Sequence, residues 1–274
     1  MVKYSKKRCF VKKIIFFLLV FSSLIYAKEY YAKVEPLEIL TIASQVKGEV
    51  LKADENLLGK KLLNKPYIII DDALDQSDLR SVKQKVLSLK KMIQVDENIL
   101  LNLQKSMQRK EQNYKSIQKL SVKSKIQKDT IYFDLIATKN QLLNTQKELE
   151  NYRLQLADLQ YKKAVLQKSI KDKTLLSKGM VLYELLVKKG QFVNPATPLA
   201  KVADVSKAVL TIYVDAKELE GIMRKKVFID QKETPYKVSR ISYIADSVNI
   251  SKYKVQIITN PPKIFSKLVK VELK

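Results

Sequence analysis

Histidine is missing from this chain, and glycine and proline are scarce, with 5 and 7 residues among 274. Without histidine there is no imidazole ligand for a metal, no histidine general base, and no Ser-His or Cys-His pair. The sequence also contains no glycine-rich phosphate loop. These absences argue against an enzyme, and we expect no catalytic residue, no bound metal and no cofactor.

Three aspartates are the nearest approach to paired catalytic carboxylates. Asp71 and Asp72 follow the apolar run 67–70, and Asp204 follows a second apolar run at 199–202. Carboxylates at such places commonly accept hydrogen bonds from free backbone N–H groups. We therefore expect strand-end or helix-capping roles for these aspartates.

The first 27 residues are typical of an export signal. Six basic residues precede an apolar core of twelve residues, 14–25, and Ala27 stands where cleavage is expected. Such a core is short for a membrane span, although an uncleaved signal-anchor is the alternative. Cys9 precedes the apolar core, so it is not a lipidation site, and the cleaved chain has no disulfide. We expect export to the bacterial periplasm, with inner-membrane association if the segment is retained.

The charge balance is strongly basic. The formal net charge is +24, and it falls to +18 when the six basic residues of the signal are removed (24 − 6). Such a balance can indicate nucleic-acid or membrane-surface binding. Here the lysines are spread among Gln, Ser, Asp and Glu, which is typical of a solvated helical face. Because an exported protein rarely meets nucleic acid, we expect no nucleic-acid partner.

The central segment, 72–169, contains neither glycine nor proline and has an apolar stripe with steps of three and four residues. This spacing is typical of a supercoiled helix seam. Asp96 and Lys110 are its two interruptions. The stripe consists of Leu79, Val82, Val86, Leu89, Ile93, Asp96, Leu100, Leu103, Met107, Lys110, Tyr114 and Ile117.

A second, more polar stripe with the same spacing covers 131–170. If the chain folds back near 122–123, each seam position of one helix meets a seam position of the other, as Leu103 meets Leu142. We therefore predict an antiparallel helical hairpin with its tip near 117–128. A long coiled-coil dimer without a hairpin is the alternative.

Two similar β-segments, 48–71 and 179–204, flank the helical segment. In each segment the two glycines lie 11 positions apart (59 − 48 and 190 − 179). We predict that these glycines form the structural turns of two halves of one small sheet: Gly48, Gly59, Gly179 and Gly190. Such a sheet must close at the base of the helices, which argues against the dimer.

The remaining sequence alternates apolar and polar residues in several short runs. The runs are 208–214, 227–230, 236–244, 252–258 and 268–273, with a short helix at 215–220 capped by Asp215. Several short strands with one helix predict a small β-barrel.

This order of parts resembles the HlyD-type periplasmic adaptor proteins, also called membrane fusion proteins. The segment Gly179-Met-Val-Leu-Tyr-Glu through Leu-Ala-Lys-Val-Ala-Asp204 carries the resemblance most clearly, and Val34-Glu-Pro36 through Gly48-Glu-Val50 is similar to the entry of the first half. The resemblance covers 30–274. It implies an α+β, multidomain fold: a long antiparallel α-helical coiled-coil hairpin inserted in a split lipoyl-like β-domain, followed by a small β-barrel domain.

The resemblance also implies domain bounds. They are 1–27 for the signal peptide, 28–71 for an N-terminal strand and the first lipoyl-like half, 72–170 for the hairpin, 171–205 for the second half, and 206–274 for the barrel. Because the chain ends after the barrel strands, we expect the membrane-proximal domain of larger family members to be absent or minimal.

In that family the hairpin tip contacts a TolC-type outer-membrane channel through an arginine, a leucine four residues later and a serine seven residues further on. The matching positions here are Asn113, Ile117 and Ser124. Asn113 departs from the pattern, and Arg109, one helical turn earlier, is the expected partial substitute. Together with Leu120, these residues are the predicted channel contacts.

The resemblance implies a function that involves no bond chemistry. The protein would be the adaptor subunit of a tripartite efflux or secretion system, with three kinds of partner: an inner-membrane transporter of the RND or ABC type, a TolC-like outer-membrane channel, and further copies of itself in a ring. Three alternatives are a periplasmic coiled-coil spacer without a transport role, a basic nucleic-acid-binding coiled coil, and a lipoate or biotin carrier. The hairpin occupies the turn that would hold the carrier's modified lysine.

Overall fold

The computed structural model describes residues 28–245, 249 and 251–274, so the predicted export signal lies outside the described residues. The chain divides into two compact units. We call residues 41–201 the hairpin unit, and 28–40 with 202–274 the sheet unit. The long strands β1 (Glu29–Ala43) and β7 (Pro198–Asp215) contribute residues to both units.

Two long helices dominate the hairpin unit. They are α1 (Ala73–Gln118) and α2 (Lys125–Asp172), with 46 and 48 residues. At 1.5 Å per residue each extends roughly 70 Å. The short turn 119–124 joins them, inside the region predicted for the tip. The predicted α+β fold class and its helical hairpin are therefore confirmed.

The pairing of the two helices is visible in contacts between them. Lys110 Nζ donates to Asp134 Oδ1 over 2.8 Å near the tip, and Ser169 Oγ donates to Asp75 Oδ2 over 2.5 Å at the base. The residue numbers of each pair add to 244, against 245 for the predicted seam pairs. The register therefore lies within about one residue of the prediction along the whole arm.

Apolar side chains from both helices line the seam. Of its two polar interruptions, one has hydrogen-bond partners and the other has a buried oxygen without one. Lys110 Nζ hydrogen-bonds both Asp134 Oδ1, at 2.8 Å, and Thr138 Oγ1, at 2.9 Å. Asp96 is half-buried, and its buried Oδ2 has no hydrogen-bond partner. Desolvating a carboxylate oxygen without a donor destabilises the folded arm.

Replacing Asp96 with leucine is expected to stabilise the hairpin by about 1–2 kcal/mol, because the unpaired oxygen is removed and the apolar stripe becomes continuous. Urea denaturation followed by helical circular dichroism measures the change. The matched exchange Lys110→Leu removes two satisfied hydrogen bonds and should bring no gain. A midpoint for Asp96→Leu at or below that of the parent chain would contradict this explanation.

A small β-module closes the base of the hairpin. Its strands are β2 (Gly48–Ala53), β3 (Ile68–Ile70), β4 (Thr174–Leu175), β5 (Val181–Leu185) and β6 (Phe192–Val193). Four of them pair in the order β4-β3-β2-β6, while β5 pairs with β7. Strand β3 leads into α1 and β4 follows α2, and Ile68 pairs with Leu175 across these two strands. The chain thus leaves and re-enters the same sheet.

The two β-halves bind each other through reciprocal hydrogen bonds. The N–H of Gly59 donates to the carbonyl of Leu182, and the N–H of Gly190 donates to the carbonyl of Val50, both over 2.8 Å. In each half, a glycine turn therefore donates a hydrogen bond to the first strand of the other half. The repeat seen in the sequence is two halves of one module.

The sheet unit contains the remaining strands around one hydrophobic core. They are β8 (Val227–Ile229), β9 (Lys232–Glu233), β10 (Val238–Ala245), β11 (Lys252–Thr259) and β12 (Leu268–Leu273). The order is β10-β11-β7-β1-β12-β8-β9. Residues 28–40, which include most of the predicted N-terminal strand, lie in this unit. The cause is the alternation of β1, which buries Tyr30, Ala32 and Val34 in the core.

Asp71 Oδ1 accepts the N–H of Ala73 over 3.0 Å, whereas Asp72, at the N-cap position of α1, makes no side-chain capping bond and accepts a hydrogen bond from Nε2 of Gln76 over 3.0 Å. Two further details differ from the prediction. Asp204 lies inside β7 and not at its end, and its Oδ1 accepts the N–H of Ser206 over 2.8 Å. The predicted helix after Asp215 is a single 3₁₀ turn, Ala216–Glu218. Hydrogen bonds from Lys252 and Lys28 lower the pKa of Asp215 to about 2.

Within residues 28–245, 249 and 251–274, no helix is both long enough and apolar enough to cross a membrane.

Candidate interaction site at the hairpin tip

The tip is a compact turn whose helix ends are satisfied within the chain. The N–H of Leu120 donates to the carbonyl of Ile117 over 3.0 Å. Lys128 Nζ reaches from α2 to the carbonyl of Gln118 over 3.2 Å. A cation at a helix C-terminus binds the free carbonyls there and offsets their negative potential. These contacts hold α1 and α2 together at the turn.

Ser124 begins α2 as its N-cap. The N–H of Gln127 donates to Ser124 Oγ, and the N–H of Ser124 donates to Gln127 Oε1, both over 3.3 Å. This capping box was readable in the sequence as Ser124-Lys-Ile-Gln127, because serine followed three residues later by glutamine is its signature. The serine expected to contact a channel therefore also starts a helix.

The predicted contact residues occupy two parts of the tip. Arg109, Asn113 and Ile117 follow one another at intervals of four residues along α1, so they lie near one side of the helix. Arg109 and Asn113 are exposed, and Ile117 is half-buried. Leu120 and Ser124 lie in the turn itself. Arg109 lies nine residues before the end of α1, which places it on the flank of the arm, roughly 14 Å from that end.

Two strongly exposed apolar residues at the tip were not among the predicted contacts. Val122 is 92% exposed and Ile126 is 78% exposed. Both fall outside the seam stripes and outside the three positions given by the resemblance. Their signal in the sequence was an apolar residue placed off the stripe within a polar, cationic stretch. They give the end of the arm an apolar surface.

The four predicted glycine turns have different surroundings. Gly59, Gly179 and Gly190 lie in turns with φ of +70°, +90° and +86°. Gly48 is the first residue of β2, and a Cβ there would lie 2.6 Å from Ile70 Cγ2. At Gly48 there is no room for a Cβ, whereas the other three glycines adopt a left-handed backbone conformation that other residues rarely adopt.

Comparison with known proteins gives matches of structure only. No protein-family model and no curated protein matches the sequence. MacA from Actinobacillus actinomycetemcomitans matches with a TM-score of 0.68 and 16% identity, over 90% of this chain and 79% of its own. The membrane fusion protein Spr0693 from Streptococcus pneumoniae R6 matches with a TM-score of 0.60 and 13% identity, over 90% and 99%.

A third match is a chimeric protein. A MacA–MexA chimera that contains the Pseudomonas aeruginosa MexA α-hairpin domain has a TM-score of 0.57 and 17% identity, over 90% of this chain and 81% of its own. Identities this low show a shared fold. The chain therefore has the membrane fusion protein fold, as its resemblance to the HlyD-type adaptors predicts.

Proposed function

We propose that this protein is the periplasmic adaptor subunit of a tripartite efflux or secretion system, and that it bridges an inner-membrane transporter and a TolC-like outer-membrane channel. The observation that carries the proposal is the hairpin: two helices of 46 and 48 residues leave and re-enter one small β-module. The fold shared with Spr0693, a membrane fusion protein, supports it. An arm of roughly 70 Å with a small exposed end is suited to reaching a distant partner.

The adaptor would act by holding the transporter and the channel at a fixed distance from each other. Contacts along the arm resist bending and sliding of the helices, including Lys110 with Asp134 near the tip and Arg153 Nη2 with Glu97 Oε1, at 3.1 Å, further down. Such a role needs no catalysis. Among the residues that the structure describes, there is no group of three or more acidic or cysteine side chains that could hold a metal.

The hairpin tip is the proposed contact with the channel. Leu120 and Ser124 would meet the channel helices at the end of the arm, and Ile117, Asn113 and Arg109 would extend the contact along α1. Small polar groups beside apolar side chains are the usual composition of a protein interface. The β-module and the sheet unit would bind the transporter, of the RND or ABC type, and further copies of the chain would complete a ring in the periplasm.

Deletion of the gene distinguishes an adaptor from a structural spacer. Loss of an adaptor should raise susceptibility to toxic compounds, or retain a normally secreted product in the cell, and the full chain supplied in trans should restore the parent phenotype. The expected measurement is the growth inhibition of parent, deletion and complemented strains by a panel of antibiotics, dyes and detergents, together with the exported proteins. Unchanged susceptibility and unchanged secretion would favour the spacer.

A further inference from the structure

The end of the hairpin carries a concentration of positive charge. Residues 112–128 include five lysines and no aspartate or glutamate, although Glu111 and Asp129 stand directly outside this stretch and Glu111 pairs with Lys115. Lys119, Lys123 and Lys125 are exposed, and none of the three has an ion-pair partner within the described part of the chain. Like charges this close repel one another, so an anionic surface that approaches them is attracted.

Exposed apolar side chains lie between these lysines. Val122 is 92% exposed, Ile126 is 78% exposed and Leu120 is 49% exposed. Single exposed apolar residues are common, but here three occur within seven residues at the end of an arm. An apolar centre with a charged rim is the layout of a protein interface.

The turn that presents these groups is held in one conformation. The capping box of Ser124 and Gln127 fixes the start of α2, and the bond from Lys128 to the carbonyl of Gln118 ties α2 to the end of α1. A surface that is ordered before binding loses less entropy when a partner docks. A fixed arrangement suits a partner with a matching fixed surface better than it suits a fluid lipid surface.

We propose that the tip docks on an acidic protein surface, in which an apolar recess receives Val122 and carboxylates around it pair with Lys119, Lys123 and Lys125. This inference rests on the proposed function, since it states the chemistry of the channel end that the tip meets. The cations set the rate of encounter and its salt dependence, while the apolar contact sets the lifetime of the complex.

The test measures binding of the full chain to the TolC-type channels of the same organism, purified in detergent, at about 0.05 M and about 0.3 M salt. A tip variant reverses three charges, and a control variant makes the same charge change at exposed lysines far down α1. The tip variant is Lys119→Glu/Lys123→Glu/Lys125→Glu, and the control is Lys83→Glu/Lys85→Glu/Lys90→Glu. We expect the tip variant to bind at least about tenfold more weakly at low salt and the control within about twofold of the parent.

A separate variant, Val122→Ser, tests the apolar part of the surface. We expect it to weaken binding while leaving the salt dependence unchanged, because it removes no charge. Helical circular dichroism of every variant shows that the hairpin remains folded.

The outcomes separate this inference from the function on which it rests. A channel that binds the parent chain and the tip variant equally overturns the inference and leaves the adaptor function in place. If the parent chain binds no channel, both the inference and the proposed adaptor function are contradicted. Binding of the parent chain to vesicles of anionic phospholipid as tightly as to any channel, lost in the tip variant, would replace the protein surface by a lipid surface.

Discussion

Replacing Ile117 and Ser124 together by aspartate is expected to abolish co-purification of the outer-membrane channel while helix content stays unchanged. Ile117 is half-buried at the end of α1, and a carboxylate there removes an apolar contact and adds a charge that the partner must desolvate. Aspartate at 124 still accepts the N–H of Gln127, because aspartate and serine are equally good N-caps. The variant therefore changes the contact surface and keeps the start of α2.

A matched variant separates the contact from a general effect of two aspartates in the hairpin. Ile93→Asp with Ser88→Asp changes the same residue types in α1, at one half-buried and one exposed position far from the tip. We expect this control to retain the channel in an affinity purification from solubilised membranes. If the tip variant also retains it, the tip is not the contact site.

The second large effect concerns the β-module. Gly48→Ala is expected to destabilise the module by about 1–3 kcal/mol, because the new Cβ would lie 2.6 Å from Ile70 Cγ2. Ile70 is fully buried on the neighbouring strand β3, and its β-branched side chain has little freedom to turn away. The denaturation midpoint of the full chain, followed by a strand signal, reports the loss.

Two comparisons show whether the close approach causes that loss. Gly179→Ala has open space around the new Cβ and a φ of +90°, so only backbone strain of about 1 kcal/mol is expected. In an Ile70→Ala background the methyl group is gone, and Gly48→Ala should then cost less than in the parent chain. Equal costs in both backgrounds would show that the contact with Ile70 is not responsible.

The hairpin was readable from the sequence because its signal is periodic. The seam repeats over many heptads, and no glycine or proline interrupts it, so helix type, fold-back and pairing all follow from one pattern. The observed contacts from Asp75 to Lys110 agree with the predicted register within about one residue. The C-terminal strands were similarly clear, since β11 and β12 alternate apolar and polar residues.

The β-module was only partly readable. Matching the two halves by their glycine spacing aligns Gly48 with Gly179, but the hydrogen bonds make Val50 and Leu182 equivalent. The offset differs by one residue, which is enough to place Gly48 in a strand and Gly179 in a turn. The spacing of the glycines alone does not predict this difference. A residue added or removed in a turn shifts the register of the next strand without changing the general pattern.

The tip was the least readable part of the hairpin. Its turn contains neither glycine nor proline, so its position came from symmetry and from a loss of apolar pattern. The resemblance predicts channel contacts at Asn113, Ile117 and Ser124. The most exposed apolar residue, Val122, lies between two of those positions and only the structure shows its exposure.

The measurement that tests the proposed role most directly is a joint purification of the two membrane partners with the parent chain and with a chain whose arm is shorter. Removing residues 97–103 and 142–148 takes one heptad from each helix, keeps the seam in phase and shortens the arm by roughly 10 Å. The parent chain should recover a transporter and an outer-membrane channel in one complex, and the shortened chain should keep the transporter and lose the channel. Recovery of both partners by the shortened chain, or of neither by the parent chain, would contradict a bridging adaptor.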